Sequence, residues 1–204
     1  MVEHDLRGAW EGIRDQGPRP TCLACTTSDA HAHAHGLSHA LSAEYLFAHA
    51  VQLMSSSNGG LSFDAVDKAL QLHGQPHESH WPYGVPAAAL CSPIGQIWCG
   101  SCLDPMSVES ELVSGVPVVL GLMLCAGFYR VQAPPHLVAD GPSNHSGHAV
   151  VAVGLGRSSA SASYDLVLIR NSWGARWGDK GHAWLPYSYM KTKLMEFRTV
   201  KPCP

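Results

Sequence analysis

The spacing of apolar residues changes about half-way along the chain. Between Cys22 and about Met54 there is no proline and one glycine, Gly36. Leu37, Leu41, Tyr45 and Ala48 recur there at three- and four-residue intervals, which predicts one or two helices. Phe63, Val66, Ala69 and Leu70 fall on one helical face, so a further helix is predicted over Phe63–Leu72, with Gly74 as its stop signal. The run from Ser55 to Gly60 reads as a loop. Ahead of residue 22, Gly17, Pro18 and Pro20 oppose helix, and each proline biases the residue before it toward extended backbone. Residues 75–105 are broken by Pro76, Pro82, Pro86, Pro93 and Pro105 and are predicted to be rich in loops. Beyond them Val116–Leu124, Ala149–Leu155, Leu166–Arg170 and Ala183–Leu185 are short β-branched or alternating runs bounded by Gly, Pro and Ser. Ser158–Ser163 reads as a solvated hairpin tip. The pattern predicts one α+β unit spanning 1–204, mainly helical over 1–105 and mainly strands over 106–204.

Composition narrows the function classes. A chain of 204 residues, 46% apolar and 14% charged, is an ordered globular protein with room for one core or two lobes sharing an interface. A formal charge of -3 gives no reason to expect nucleic acid or an anionic membrane as partner. No apolar run approaches the roughly 20 residues of a membrane helix. Met1-Val2-Glu3-His4-Asp5 has neither the basic start nor the apolar stretch of a secretory signal, so the expectation is a cytoplasmic monomer, or a secreted one if a leader has been removed. Seven cysteines are an odd number and leave at least one thiol outside any intrachain pairing.

One of those thiols is placed for chemistry. A thiolate is stabilised at a helix N-terminus by unpaired N–H groups, and Cys22 stands where the Pro-rich segment gives way to helix. A nucleophile also needs a base within reach and a group that orients the base. His148 opens the apolar run His148-Ala149-Val150-Val151, and Asn171 ends the next one. Adjacent antiparallel strands bring two such side chains together.

The segment Asp15-Gln16-Gly17, with Cys22 six residues after Gln16, the string Gly147-His148-Ala149-Val150, and Asn171-Ser172-Trp173-Gly174 followed by Trp177-Gly178 and Gly181 resemble the papain family of cysteine peptidases. His148 and Asn171 follow Cys22 by about 130 and 150 residues, as in that family. Leu41–Leu46, Asn58-Gly59-Gly60 and Trp81-Pro82-Tyr83 are similar to further landmarks, so the resemblance runs from about Asp5 to about Pro186. It implies a two-lobe α+β fold, an N-terminal helical lobe and a C-terminal antiparallel sheet or barrel, with the active site in the cleft between them. It implies Cys22 as nucleophile, His148 as its proton partner, Asn171 orienting that ring, and Gln16 with the Cys22 N–H binding the oxyanion. Gly59, Gly60, Leu61, Ser62, Gly147, Ala149 and Trp173 are the implied substrate contacts, around a pocket that looks apolar. The substrate would be a peptide or protein, and neither a metal nor an organic cofactor is implied. With the same residues the resemblance implies an endopeptidase, by context an intracellular precursor- or leader-processing one, with a peptide ligase or an unreactive peptide-binding module as alternatives.

The sequence departs from the family pattern in places. Leu23 replaces the usual aromatic after the nucleophile, and Arg19 and Ser57 stand where the family has a disulfide, which suits a reducing compartment. The resemblance begins almost at Met1, so the expectation is either that the family's inhibitory pro-region has been removed or that the enzyme needs no zymogen. Cys99-Gly100-Ser101-Cys102 repeats the family's Cys-Gly-Ser-Cys string, but a proline break and a strand follow it, leaving no room for a nucleophile helix. Cys91, Cys99 and Cys102 read as buried thiols or a disulfide ahead of a zinc or redox element. His31, His35 and His39 share one helix face and read as packed polar surface ahead of a metal site.

Overall fold

The computed structural model describes residues 2–55, 59–86, 96–103, 107–131, 134–159 and 161–203. Strand β1 (Val2–Asp5) and a short 3-10 turn (Arg7–Ala9) lead to helices α1 (Cys22–Ala34), α2 (Ala43–Gln52) and α3 (Phe63–His73). Short strands β2 (Gln75–Pro76), β3 (Ile97–Trp98) and β4 (Gly100–Leu103) follow, then α4 (Val108–Val113), β5 (Val118–Cys125) and α5 (Ala126–Tyr129). The chain ends in β6 (Ser143–Gly156), β7 (Leu166–Arg170), β8 (His182–Pro186), α6 (Tyr187–Lys193) and β9 (Leu194–Pro202).

Local chemistry sets most of the helix ends. Ser42 and Ser62 each accept a hydrogen bond from the backbone N–H three residues on, at 3.1 and 3.2 Å, and so cap α2 and α3. Gly74 ends α3 with φ +59°, a left-handed backbone that glycine adopts without strain. The predicted stretch from Cys22 to Met54 is two helices, and Leu37 and Leu41 lie in the link between them rather than on a helix. Gly36, at φ +64°, turns the chain out of α1, and Leu41 is buried by pairing with His77.

Among the described residues one sheet runs in the order β4-β9-β5-β6-β7-β8, all antiparallel, with β1 added beside the far end of β6. Strands from both ends of the chain therefore close the sheet, and three of them (β1, β4, β9) were not predicted. β5 is apolar on both faces because both are covered. Val118, Leu120, Leu122 and Leu124 pack with Val150, Ile169 and Tyr189, while Val119 faces the helical side with Leu23, Leu46 and Val66. Gly121 sits among them because a Cβ there would lie 2.9 Å from the Phe63 ring.

Helix α1 is buried on nearly every side although it is rich in polar residues. Thr26 and Ser28 satisfy their hydroxyls on carbonyls one turn back, at 2.9 and 2.7 Å. Asp29 is held by two guanidinium groups, Arg14 Nε at 2.7 Å and Arg170 Nε at 2.7 Å. The expected one-face histidine stripe does not form, because α1 ends at Ala34. His31 lies on it, His35 is its C-cap and His39 lies in the link to α2, and the three rings meet the segment carrying β2 to β4. His31 Nδ1 donates to Gln75 Oε1 at 2.8 Å, His35 Nε2 donates to the Cys99 carbonyl at 2.8 Å, and the His39 ring lies 5.6 Å from Trp98. Among the described residues no group of three or more His, Cys, Asp or Glu is placed to hold a metal ion. Cys22, Cys25, Cys99, Cys125 and Cys203 are free thiols. Ser57, Asn58 and Cys91 lie outside the described residues, as does the Cys102 side chain.

Candidate active site

Cys22 is the first residue of α1, and the helix start carries no side-chain cap. Thr21 is the residue placed to cap it, but its hydroxyl is 2.5 Å from Tyr83 Oη, whose single proton goes to the Gln16 carbonyl at 2.9 Å. Thr21 is therefore the donor to Tyr83. The first N–H bonded back to the helix is that of Cys25, to the Thr21 carbonyl at 2.9 Å. The N–H groups ahead of it, and the positive end of the helix dipole, are left facing the thiol.

A cleft of about 640 Å³ opens over that thiol. Its walls include Cys22, Gln16, Gly59, Gly60, Leu61 and Ser62 from the helical side and Gly147, His148, Ala149 and Trp173 from the sheet side. Every residue expected at the surface of the site thus lines one cavity. Asn171 is buried behind His148, at 2% exposure against 7% for the histidine. Phe63, Gly121, Tyr129, Met195 and Glu196 also line the cleft and were not anticipated. The pocket expected to be apolar contains one carboxylate. Glu196 pairs across the sheet with Gly121 and is bound by Arg198, whose guanidinium lies 5.3 Å over the Phe63 ring.

The amide of Asn171 fixes the state of the imidazole. Its Oδ1 accepts the backbone N–H of Ser172 at 2.8 Å, and a backbone N–H can only donate. The same Oδ1 lies 2.7 Å from His148 Nε2, so Nε2 must carry its proton and donate, leaving Nδ1 as the exchangeable nitrogen. Trp173 shields the ring at 4.6 Å between centroids, and Phe128 meets it edge-on at 5.7 Å. Gln16 is oriented in the same manner. Its Oε1 accepts from Ser172 Oγ at 2.6 Å and its Nε2 donates to the Arg19 carbonyl at 2.8 Å, leaving one N–H of the amide unspent.

Burial pushes the Cys22 thiol up, against backbone N–H groups of Ala149, Leu23 and Cys22 that pull it down. Burial also brings His148 down to about 4, only partly offset by Asn171. Each group alone is held neutral. A proton passing from sulfur to Nδ1 changes no net charge, and the resulting ion pair has N–H donors already aimed at its anion. Cys25, one turn on, is fully buried and pushed up to about 12, so it stays protonated. Cys102 lies in β4 opposite Val200 and starts no helix. Leu23 fills the helical core. Arg19 makes a two-pronged ion pair with Glu44 of α2 at 2.5 and 2.8 Å, a non-covalent tie for the segment before the nucleophile.

A model of papain family cysteine proteases matches residues 3–199. A senescence-specific cysteine protease of Arabidopsis thaliana is 27% identical over 195 residues, 89% of this chain and 54% of its own length. An uncharacterised peptidase C1-like protein of Acanthamoeba polyphaga mimivirus is 29% identical over 87 residues, 41% of this chain and 26% of its own length. The chain thus spans about half or less of these curated relatives. Among solved structures, xylellain, a cysteine protease from Xylella fastidiosa, superposes at TM-score 0.77 with 18% identity, covering 100% of this chain and 88% of that one. Digestive procathepsin L 3 of Tenebrio molitor superposes at 0.71 with 18% identity, covering 100% of this chain and 70% of that one. At these identities the superpositions show a shared papain-like α+β fold.

Proposed function

The chain belongs to the papain family of cysteine proteases, and from that premise we propose that it hydrolyses peptide bonds through a thioester on Cys22. The observation that carries this reading is the uncapped start of α1 at Cys22, in one cleft with an imidazole whose tautomer Asn171 fixes.

In this reading His148 Nδ1 takes the thiol proton and the sulfur attacks the peptide carbonyl. The oxyanion is met by the Cys22 N–H and the unspent N–H of Gln16. As the tetrahedral intermediate collapses, the C–N bond breaks and His148 returns its proton to the departing amine. Water, deprotonated by the same nitrogen, then releases the acid and regenerates the thiol. The peptide lies extended along Gly59 and Gly60, where the lack of side chains lets backbone approach backbone. Neighbouring Leu61, Ser62 and Ala149 shape the pocket for the second residue before the scissile bond. Arg19 and Ser57 stand where the family has a disulfide, and trimming of a precursor in a reducing compartment is the physiological role we propose.

The test is intact-mass labelling by a thiol-directed epoxide together with peptide turnover. One adduct is expected, lost in Cys22→Ala along with turnover, while Cys25→Ala keeps most of both. Full turnover in Cys22→Ala would end this reading, and absence of any adduct would favour an unreactive peptide-binding module. Product masses joined to an added amine would show a ligase using the same acyl-enzyme.

A further inference from the structure

Gln16 and Thr21 are buried, but the chain between them is not. Gly17, Pro18 and Pro20 are exposed, and of these four linking residues only Arg19 packs inward. The two prolines have no N–H with which to anchor the segment. Arg19 anchors it through its side chain. Its terminal nitrogens reach Glu44 Oε2 and Oε1 at 2.5 and 2.8 Å, and its guanidinium lies 4.9 Å from the Tyr83 ring centroid and 5.4 Å from that of Phe47. Glu44 is itself buried on α2, and its carboxylate also accepts the Gly84 N–H at 2.8 Å. A planar guanidinium gripped by a two-pronged carboxylate and two aromatic rings is held in one place.

The backbone of the same residue carries the consequence. The Arg19 carbonyl accepts the Thr21 N–H at 2.9 Å and Gln16 Nε2 at 2.8 Å. These two bonds use both lone pairs of the oxygen. The two N–H bonds of an amide nitrogen are rigidly splayed, so the one given to Arg19 sets the direction of the other. That other N–H is the donor left for the oxyanion. Ser172 fixes the oxygen end of the Gln16 amide, and the Arg19 carbonyl fixes the nitrogen end. Preorganised groups act by position, and a misplacement of about 1 Å can cost about 100-fold in rate.

Resting on the peptidase reading above, we propose that Arg19 is a positioning residue. Its ion pair with Glu44 holds the carbonyl that aims the free N–H of Gln16 at the oxyanion. Arg19 touches neither the substrate nor the reacting atoms and acts through Gln16.

The experiment compares steady-state peptide hydrolysis with alkylation of Cys22 by iodoacetamide, which needs the thiolate but forms no oxyanion. Arg19→Ala is expected to lower kcat by roughly 10- to 100-fold with KM nearly unchanged. Its rate of alkylation, and the pH profile of that rate, should match wild type. In a Gln16→Ala background the same substitution should cost less than about 3-fold, because the donor it aims is gone. Glu44→Gln keeps the side-chain shape and an acceptor for Gly84, and it should also lower kcat without moving KM or alkylation. It decides the matter where Arg19→Ala fails to fold. A kcat within about 2-fold of wild type in either variant overturns the proposal. So does a loss carried by KM, a fall in alkylation that matches the fall in turnover, or losses that multiply in full in the double variant. A wild-type protein that neither cleaves peptide nor is alkylated sinks the peptidase reading itself, whereas wild-type turnover that Arg19→Ala leaves intact sinks the clamp alone.

Discussion

Two side-chain amides, Asn171 and Gln16, decide how the reacting groups are presented, and Ser172 orients both. Its N–H fixes the Asn171 oxygen and its hydroxyl fixes the Gln16 oxygen. In the proposed reaction Asn171 would act as a positioning residue, whereas Gln16 would touch the oxyanion itself. Removing one preorganised oxyanion donor typically costs about 10²–10³ in rate. Gln16→Ala should therefore lower kcat by that order with KM nearly unchanged, measured by steady-state peptide hydrolysis. A loss confined to KM would assign Gln16 to substrate binding instead. Gln16, Cys22, His148 and Asn171, which the fold brings together, were legible because each sits in a short string whose neighbours serve the same site. Phe63, Gly121, Tyr129, Met195 and Glu196 were not, because no local string joins them. Phe63 read as a core residue of α3, and it is one, while its ring edge also meets the cleft. Glu196 reaches the cleft only because β9 pairs with β5 there.

At the level of elements, α3 and β7 were legible because one has a clean helical face and the other a short, wholly apolar run. β4 and β9 were not, since Gly100-Ser101-Cys102-Leu103 has little strand preference and β9 mixes charged with apolar residues. β4 becomes a strand by pairing with β9, and β9 by lying between β4 and β5, a tertiary effect that local propensity does not contain. The position of α1 depends on a charge cluster that spans the chain. Asp29 binds Arg14 from the N-terminal segment and Arg170 from β7, the residue just before Asn171. All three side chains are largely buried, and removing one member of such a group typically costs about 3–5 kcal/mol because it strands the others. Asp29→Asn should lower the unfolding free energy by that amount in urea. It should also slow turnover, because Arg170 holds the end of β7 against α1. A stability change below about 1 kcal/mol would mean that the two arginines find water or other acceptors readily.

For the molecule as a whole, the two chain ends are built into the sheet through β1 and β9, and the described cysteines are free. A disulfide typically contributes about 2–4 kcal/mol, so an unchanged melting temperature with and without dithiothreitol is expected. A fall of several degrees in reductant would reveal a structural bridge. Acid is predicted to be the larger threat. His148 and His182 are both buried and both brought down to about 4, His148 by burial and His182 by burial with Arg170 and Arg7 adding to it. In the unfolded chain each titrates near 6.5. Between pH 6.5 and 4 the unfolded state therefore binds two protons that the folded state refuses. The sign follows: stability is full above about pH 6.5 and is lost as pH falls toward 4, by about 3 kcal/mol for each histidine. Losses of this size are a large share of a typical 5–15 kcal/mol. Urea unfolding of Cys22→Ala, chosen to prevent self-cleavage, should show a steep drop in stability from pH 7 to pH 4.5. Adding His182→Gln, which removes one of the two refused protons, should make that drop shallower by roughly 2–3 kcal/mol. A stability profile that stays flat over this range, or one that His182→Gln leaves unchanged, would show that these rings take up protons in the folded state as easily as in the unfolded one.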